Sequence, residues 1–280
     1  MNNLQQTIVS DVQRALSEDL GSGDITASLL PEDLPITADI IAREPLLMCG
    51  QAWVEEVFRQ LHSQIKINWL VAEGQWLAQP TTLATVEGPA RYVLTGERTA
   101  LNFLQTLSGT ATRTHHYVQK FKGSKTQLLD TRKTIPGLRI AQKYAVTCGG
   151  GVNHRLGLYD AFLIKENHIK ACGSITQAIS MARATYPDRP VEVEVETLNE
   201  LQEAIAVKPE RIMLDNFDEA MVKKALIMNQ NSSAKLEISG GLTLDKVDQM
   251  VALGVDYISV GDLTKSVQAI DLSLLVRDRV

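Results

Sequence analysis

Six short apolar runs in the second half of this 280-residue chain alternate with helical patterns, and that rhythm limits the fold more than any other feature. The runs are 126–131 (TQLLDT), 161–165 (AFLIK), 191–196 (VEVEVE), 211–215 (RIMLD), 235–239 (KLEIS) and 256–260 (DYISV). Helical patterns lie between several of them, at 175–185, 198–206, 218–229 and 243–253. A parallel pair of strands needs a crossover long enough for a helix, so this spacing predicts parallel βα units. Six strands fit a barrel short of eight or an open sheet, and periodicity alone does not choose.

The first half reads differently. Residues 11–20 (DVQRALSEDL) predict a short amphipathic helix, stopped by Gly21-Ser22-Gly23 and followed by a turn at 24–26. A strand at 36–42 and a helix at 52–61, with Trp53, Val57 and Leu61 on one face, come next. Strand-like runs at 65–71, 75–78, 82–87 and 90–94 are broken by Gly and Pro, a mostly antiparallel α+β texture. Thr95 reads as the cap of a long helix carrying Leu101, Leu104 and Leu107. The segment 266–280 is long enough for a helix returning to the first domain. The expected division is 1–110, joined by 266–280, and 111–265.

The strands of the second half end in polar groups: Asp130-Thr131-Arg132-Lys133, Lys165-Glu166-Asn167, Glu194 and Glu196, Asp215-Asn216, Ser239-Gly240-Gly241 and Gly261-Asp262. In parallel α/β barrels these ends converge on one site. A single polar end means little, since strands must meet water somewhere; six in succession point to a site. In VEVEVE, alternation sets Val191, Val193 and Val195 on one face and Glu192, Glu194 and Glu196 on the other. On an edge strand the glutamates would simply be wet. In a covered parallel sheet they need cationic partners, a metal or substrate hydroxyls. Ser239-Gly240-Gly241 and Ser259-Val260-Gly261 resemble the late-strand phosphate site of barrels, where glycines let backbone amides approach an anion. Gly149-Gly150-Gly151 reads as a flexible loop.

Charge is unevenly placed. The chain holds 28 Lys+Arg and 33 Asp+Glu, a net of −5, which by itself argues against nucleic acid and against anionic ligands. From Arg98 to Lys170, however, 12 Lys/Arg face 3 Asp/Glu, and His115, His116, His154 and His168 lie in the same window. This can be a solvated basic face. Arg98, Arg132, Arg139 and Arg155, with Lys133 and Lys165, can equally clamp a small ligand with several anionic groups, because the guanidinium fork holds carboxylate or phosphate bidentately.

Other classes recede. Cys49, Cys148 and Cys172 form no C-x-x-C and predict reduced thiols. No signal peptide and no membrane span is visible, so the chain is expected to be soluble and cytoplasmic. His115 and His116 make no metal constellation; if a metal binds, Glu194 and Asp215 suit Mg²⁺ better than Zn²⁺. G-x-S-x-G, Walker A and G-x-G-x-x-G motifs do not occur.

Several segments together resemble quinolinate phosphoribosyltransferase: LTGERTALNFLQTLSG (94–109), LLDTRKTIPGLR (128–139), KYAVTCGGGVNHRLGLYDAFLIKENH (143–168), VEVEVETL (191–198), IMLDN (212–216) and ISVGDLTKS (258–266), with EDLGSGDIT (18–26) near the start. The resemblance covers almost the whole chain. It implies an incomplete α/β (TIM-like) barrel preceded by a smaller α+β sandwich domain, assembled as a homodimer or higher homo-oligomer. The implied reaction joins quinolinate and 5-phosphoribosyl 1-diphosphate into nicotinate mononucleotide, diphosphate and CO₂, with Mg²⁺ and no organic cofactor, in NAD biosynthesis.

Carried onto this sequence, the resemblance gives Arg132, Arg155, His154 and Lys165 the two quinolinate carboxylates, with Thr131 beside them and Arg98 reaching in from the partner subunit. Lys133 and Lys165 would neutralise the diphosphate. Glu194 and Asp215 would face the ribose hydroxyls and Mg²⁺, and Ser239–Gly241 and Ser259–Gly261 the 5-phosphate. Family members often read GALT where this chain has Gly261-Asp262-Leu263-Thr264, so Asp262 must point away from the phosphate or be paired. Rival readings are a sister phosphoribosyltransferase taking another aromatic acid, an aldolase with Lys165 as Schiff base, and a non-catalytic phosphosugar-binding relative.

Overall fold

The first and last strands of the chain pair with one another, and that pairing belongs to one of two units into which residues 2–277 divide in the computed structural model. One unit holds residues up to 115, 135–150 and the chain from 266; the other holds 116–134 and 151–265. In chain order the elements begin α1 (Asn2–Leu20), β1 (Pro35–Ala42), β2 (Leu46–Leu47), α2 (Gln51–Leu61), β3 (Lys66–Trp69), β4 (Trp76–Leu77), β5 (Thr81–Pro89) and α3 (Ala90–Lys120). There follow β6 (Gln127–Leu129), α4 (Arg139–Cys148), β7 (Phe162–Ile164), α5 (Glu166–Cys172), α6 (Ile175–Thr185), β8 (Val191–Val195) and α7 (Leu198–Val207). The chain ends with β9 (Arg211–Asp215), α8 (Glu219–Met228), β10 (Lys235–Ser239), α9 (Val247–Val251), β11 (Tyr257–Ser259), α10 (Asp262–Lys265) and β12 (Leu272–Val276).

In the first unit an antiparallel sheet runs β12-β1-β5-β3. Ala38, Ile40 and Ala42 alternate along β1 and are fully buried, the period-two signature of a half-covered strand. They join one apolar cluster with Trp53, Val57 and Phe58 of α2 and Leu101, Leu104 and Leu107 of α3. Burying each such large side chain is worth about 1.5–3 kcal/mol.

Three sequence expectations change here. Residues 90–94 are not a strand but the first turns of α3, and Thr95 is no cap; inside the helix, its hydroxyl donates to Asp24 Oδ2 at 2.8 Å. The segment after 266 supplies a strand instead of a helix: Leu272 and Leu274 are buried, their neighbours are not, and β12 pairs with β1 from Ala42↔Leu272 to Ala38↔Val276. Period-two burial and a free sheet edge outweigh helical length; residues 278–280 of that expectation lie outside the described residues. The glycine run is also not a loose loop: a Cβ on Gly149 would come within 2.6 Å of the Ala111 carbonyl, so α4 ends in close contact with α3. Since Ala141 and Ala145 of α4 enter the apolar cluster of this unit, 135–150 separates from the strands that flank it in sequence.

The second unit is a parallel sheet in the order β6-β11-β10-β9-β8-β7. Its last strand pairs with its first, Ser259↔Leu129, the adjacency that first and last strands have in a barrel. Among the described strands β6 and β7 do not pair, so the barrel is incomplete there, with Val152 bridging Leu129 beside β6. Helix starts are specified locally: the Ser174 hydroxyl accepts from the Gln177 amide, Asp218 from the Met221 amide, and Thr197 and Glu200 form a capping box. Val191, Val193 and Val195 are buried on the face that meets α6 and α7, which sends the glutamates of β8 into the barrel.

Candidate active site

At the C-terminal ends of the parallel strands lies a cleft of about 400 Å³, lined by Thr131, Arg132, Lys133, His154, Arg155, Leu163, Lys165, Glu194, Met213, Asp215, Ser239 and Ser259. Period-two geometry explains the set. Glu194, Met213 with Asp215, and Ser239 are inward positions on neighbouring strands, held in register by Glu194↔Met213 and Ser239↔Asp215. A volume of this order suits a small polar molecule.

One wall is cationic. Arg155 is half-buried, and burial together with the Arg132 charge lowers its pKa; two guanidiniums lining one cleft favour an anion there. Arg155 also donates to the Ala161 carbonyl at 3.3 Å, while the Asp160 carboxylate accepts from the Leu156 and Gly157 amides and so shapes the loop. Lys133 is placed by its backbone: its amide donates to Thr131 Oγ1 at 3.0 Å, and its carbonyl accepts from the buried Thr264 hydroxyl at 2.8 Å. Lys165 forms an ion pair with Glu194 across the strands. The His168 Nδ1 accepts from the Lys165 amide at 3.0 Å, which ties the start of α5 to that lysine and explains the histidine of IKENH.

The rest of the lining is anionic and hydroxylic. Asp215 accepts from Asn216 Nδ2 at 2.9 Å, and Asn216 sits at φ +56° with its amide donating to the Ser239 carbonyl. Gly240 has φ +112°, and a Cβ there would strike the Asn216 side chain, so only glycine fits. A Cβ on Gly261 would lie 2.9 Å from Lys133 Cδ, so this glycine makes room for the lysine stem. Val260, between Ser259 and Gly261, is buried, and its amide donates to the Leu129 carbonyl. Asp262 is paired: the buried Tyr117 hydroxyl donates to its Oδ2 at 2.9 Å.

Beneath the cleft, His154 and Glu192 join Glu237 and Arg211 in a buried polar group that the sequence reading did not assemble. His154 Nε2 lies 3.0 Å from Glu192 Oε2 and 3.5 Å from Glu237 Oε2, and Arg211 donates to Glu237 at 2.8 Å. The Arg211 guanidinium also rests over the Tyr257 ring, 4.1 Å from its centroid. Burial lowers the proton affinity of His154, and the neighbouring Glu192 and Glu237 carboxylates raise it. The Arg155 amide donates to Nδ1 at 2.8 Å and opposes a second ring proton; that contact fixes the tautomer with hydrogen on Nε2, toward the carboxylates. The His154 amide in turn donates to the fully buried Asp130 at 2.8 Å. Glu192 was visible in the alternation of VEVEVE; for Glu237, inside LEIS, only its inward register would have shown it.

Not every expected residue is in the cleft. Arg98 and Arg139 belong to the first unit, Arg98 exposed on α3 beside Glu97 at 3.7 Å and Arg139 at the start of α4. His115, also in that unit, stacks on Trp76 with centroids 4.7 Å apart. Two groups of described His, Cys, Asp and Glu side chains are close enough to share an ion, Cys49–Glu73–Cys148 and His154–Glu192–Glu237; Glu194 and Asp215 are in neither. Two carboxylates in an open cleft still fit Mg²⁺, which usually keeps waters and takes its remaining oxygens from a substrate phosphate. No helix among the described residues is long and apolar enough to cross a membrane.

Comparisons with known proteins agree along the whole chain. Residues 24–108 match the family model for the quinolinate phosphoribosyl transferase N-terminal domain, and residues 110–275 that for its C-terminal domain. The chain is 42% identical over 271 residues to the nicotinate-nucleotide pyrophosphorylase (carboxylating) of Mycobacterium leprae, covering 94% of this chain and 95% of that protein. It is 39% identical to the probable enzyme of the same name from Bacillus subtilis, covering 98% and 94%. The structure of the nicotinate-nucleotide pyrophosphorylase from Francisella tularensis superposes with a TM-score of 0.94 at 46% identity, covering 98% of this chain and 97% of that one.

Proposed function

This chain belongs to the quinolinate phosphoribosyltransferase family, and from that premise we propose that it transfers the phosphoribosyl group of 5-phosphoribosyl 1-diphosphate to quinolinate, releasing diphosphate and CO₂ and forming nicotinate mononucleotide for NAD biosynthesis. The observation that carries the reading is the cleft in which Arg132, Lys133, Arg155 and Lys165 face Glu194 and Asp215. A dicarboxylate and a triply phosphorylated sugar need the cations; an electron-poor ribosyl centre benefits from the carboxylates.

In this reading Arg132 and Arg155 hold the quinolinate carboxylates, with His154 below them, and Lys165 bridges between that acid and the departing diphosphate. Lys133 meets the diphosphate as well. Glu194 and Asp215 accept from the ribose hydroxyls and would hold Mg²⁺ through oxygen; bound there, Mg²⁺ would supply charge neutralisation on the diphosphate. Ser239–Gly241 and Ser259–Gly261 receive the 5-phosphate, with Asp262 paired to Tyr117. Holding the 2-carboxylate still through glycosyl transfer is the enzyme's contribution to decarboxylation, since positioning alone can supply much of a rate enhancement. No covalent nucleophile is needed.

The assembly is part of the proposal: a homodimer or higher homo-oligomer in which Arg98 of one subunit serves the site of the next, in the cytoplasm. Mixing Arg98→Ala with Lys165→Ala subunits should then restore activity to a fraction of sites, and confirmed hybrids without rescue would refute sharing. The reaction itself is tested by incubating the protein with quinolinate, 5-phosphoribosyl 1-diphosphate and Mg²⁺. Nicotinate mononucleotide and CO₂ should appear, and nicotinate in place of quinolinate should be turned over poorly. Preference for nicotinate would favour the sister phosphoribosyltransferase, and no product with either would favour a phosphosugar-binding protein.

A further inference from the structure

We propose that His154 is a positioning residue: locked to the barrel floor by Glu192 and Glu237, it fixes the backbone of Arg155, and it is Arg155 that grips the aromatic acid. The inference rests on the reading above and departs from the direct carboxylate contact that the family resemblance implied for His154.

Both ring nitrogens are already engaged inside the protein. Nε2 faces Glu192 at 3.0 Å and Glu237 at 3.5 Å; Nδ1 accepts the Arg155 amide at 2.8 Å. The His154 backbone is held as well, by its amide's bond to Asp130. The side chain is 8% exposed, so it presents carbon more than nitrogen to the cleft it lines. Arg155, by contrast, follows directly in the chain, is half-buried, and sits beside Arg132 in the cleft.

The floor is built one strand layer below the site. Glu192 precedes Glu194 by two residues and Glu237 precedes Ser239 by two, so their carboxylates lie about 6.6 Å deeper at 3.3 Å per residue. Arg211 is the counter-charge there, bonding Glu237 at 2.8 Å and lying 3.9 Å from Glu192, whose carboxyl is pushed above its usual range by burial and by the Glu237 charge. Barrel interiors are usually filled with branched apolar residues, and well-packed apolar groups in place of a buried ionic cluster are often at least as stable. What a hydrogen-bonded floor adds is direction. It sets one ring orientation, and through Nδ1 one path for the chain at Arg155.

A double-mutant cycle tests this. His154→Gln keeps a donor toward Glu192 and spares the buried carboxylates, but loses the acceptor for the Arg155 amide. Alone it should raise the KM for quinolinate about tenfold, the loss of one hydrogen bond's worth of positioning, while the KM for 5-phosphoribosyl 1-diphosphate stays within about twofold. Arg155→Ala should raise the quinolinate KM further, by about a hundredfold, as the removal of a charged clamp does. In the Arg155→Ala background, His154→Gln should add nothing, because it has no other route to the substrate. Rises that multiply would show His154 touching quinolinate itself and would overturn the inference, as would an unchanged quinolinate KM in the single His154→Gln variant. Wild-type protein with no product would instead refute the proposed reaction, so the two failures are distinct.

Discussion

The interiors of the two units obey different rules. In the first unit the inward positions of β1 are Ala38, Ile40 and Ala42, packed with Trp53, Phe58 and Leu104 into a continuous apolar core. In the second, the inward positions of β8 and β10 are Glu192, Glu194, Glu237 and Ser239, and the valines of β8 and Leu236 and Ile238 of β10 are buried on the other face. The same strand period serves opposite ends. An apolar inward face contributes stability without direction; a polar one costs desolvation and returns fixed geometry. A substitution inside the first unit should therefore be read in stability, and one inside the barrel in activity.

The sharpest test of that division is Lys165→Ala. The side chain is 46% exposed and pairs with Glu194 of the neighbouring strand, so thermal unfolding should barely change while kcat/KM falls about 10³-fold, the scale of losing one cation aimed at developing charge. A large loss of stability would break the comparison. Next is Leu104→Ala in the first core, fully buried: chemical denaturation should show about 2–5 kcal/mol lost, with the KM values of the surviving fraction unchanged. Gly240→Ala falls between the two classes. Its φ of +112° and the adjacent Asn216 should cost about 1–3 kcal/mol of strain and also weaken phosphoribosyl diphosphate binding, visible as a raised KM.

The smallest effect is expected for Arg277→Gln at the sheet edge of the first unit. Arg277 bonds Asp39 at 2.7 Å and holds that carboxyl below its usual range. A depressed folded pKa means the contribution is present above the unfolded value and is lost as pH falls through the folded one. The Tm difference between variant and wild type should be slight near neutrality and vanish in acid. A difference that grows in acid would reverse the sign of the argument.

Most of the architecture could be read from periodicity because the physics is local. VEVEVE shows its two faces by alternation, and Thr197 with Glu200 announces a helix start. The failures also have local causes. ARYVL after Pro89 carries β-forming residues, yet continues into α3, where Leu101 and Leu104 find the core; tertiary burial overrode propensity. Leu272–Val276 became a strand because β1 had an unpaired edge. Arg132, Lys133, Arg155 and Lys165 were legible as a basic window, but the same window also contains Lys120, which pairs with Asp248, and Lys170, which pairs with Glu166. Charge density alone could not separate them.

What the sequence determined by itself was the βα rhythm, the family motifs and the residue types of the cleft, since these are fixed by spacing along one strand or one turn. Only the tertiary structure decided that β6 meets β11, that Tyr117 pairs with Asp262, and that Glu192 and Glu237 share His154. Each of these joins residues far apart in the chain. Such a pairing depends on which strands share an interior, and no local pattern encodes that.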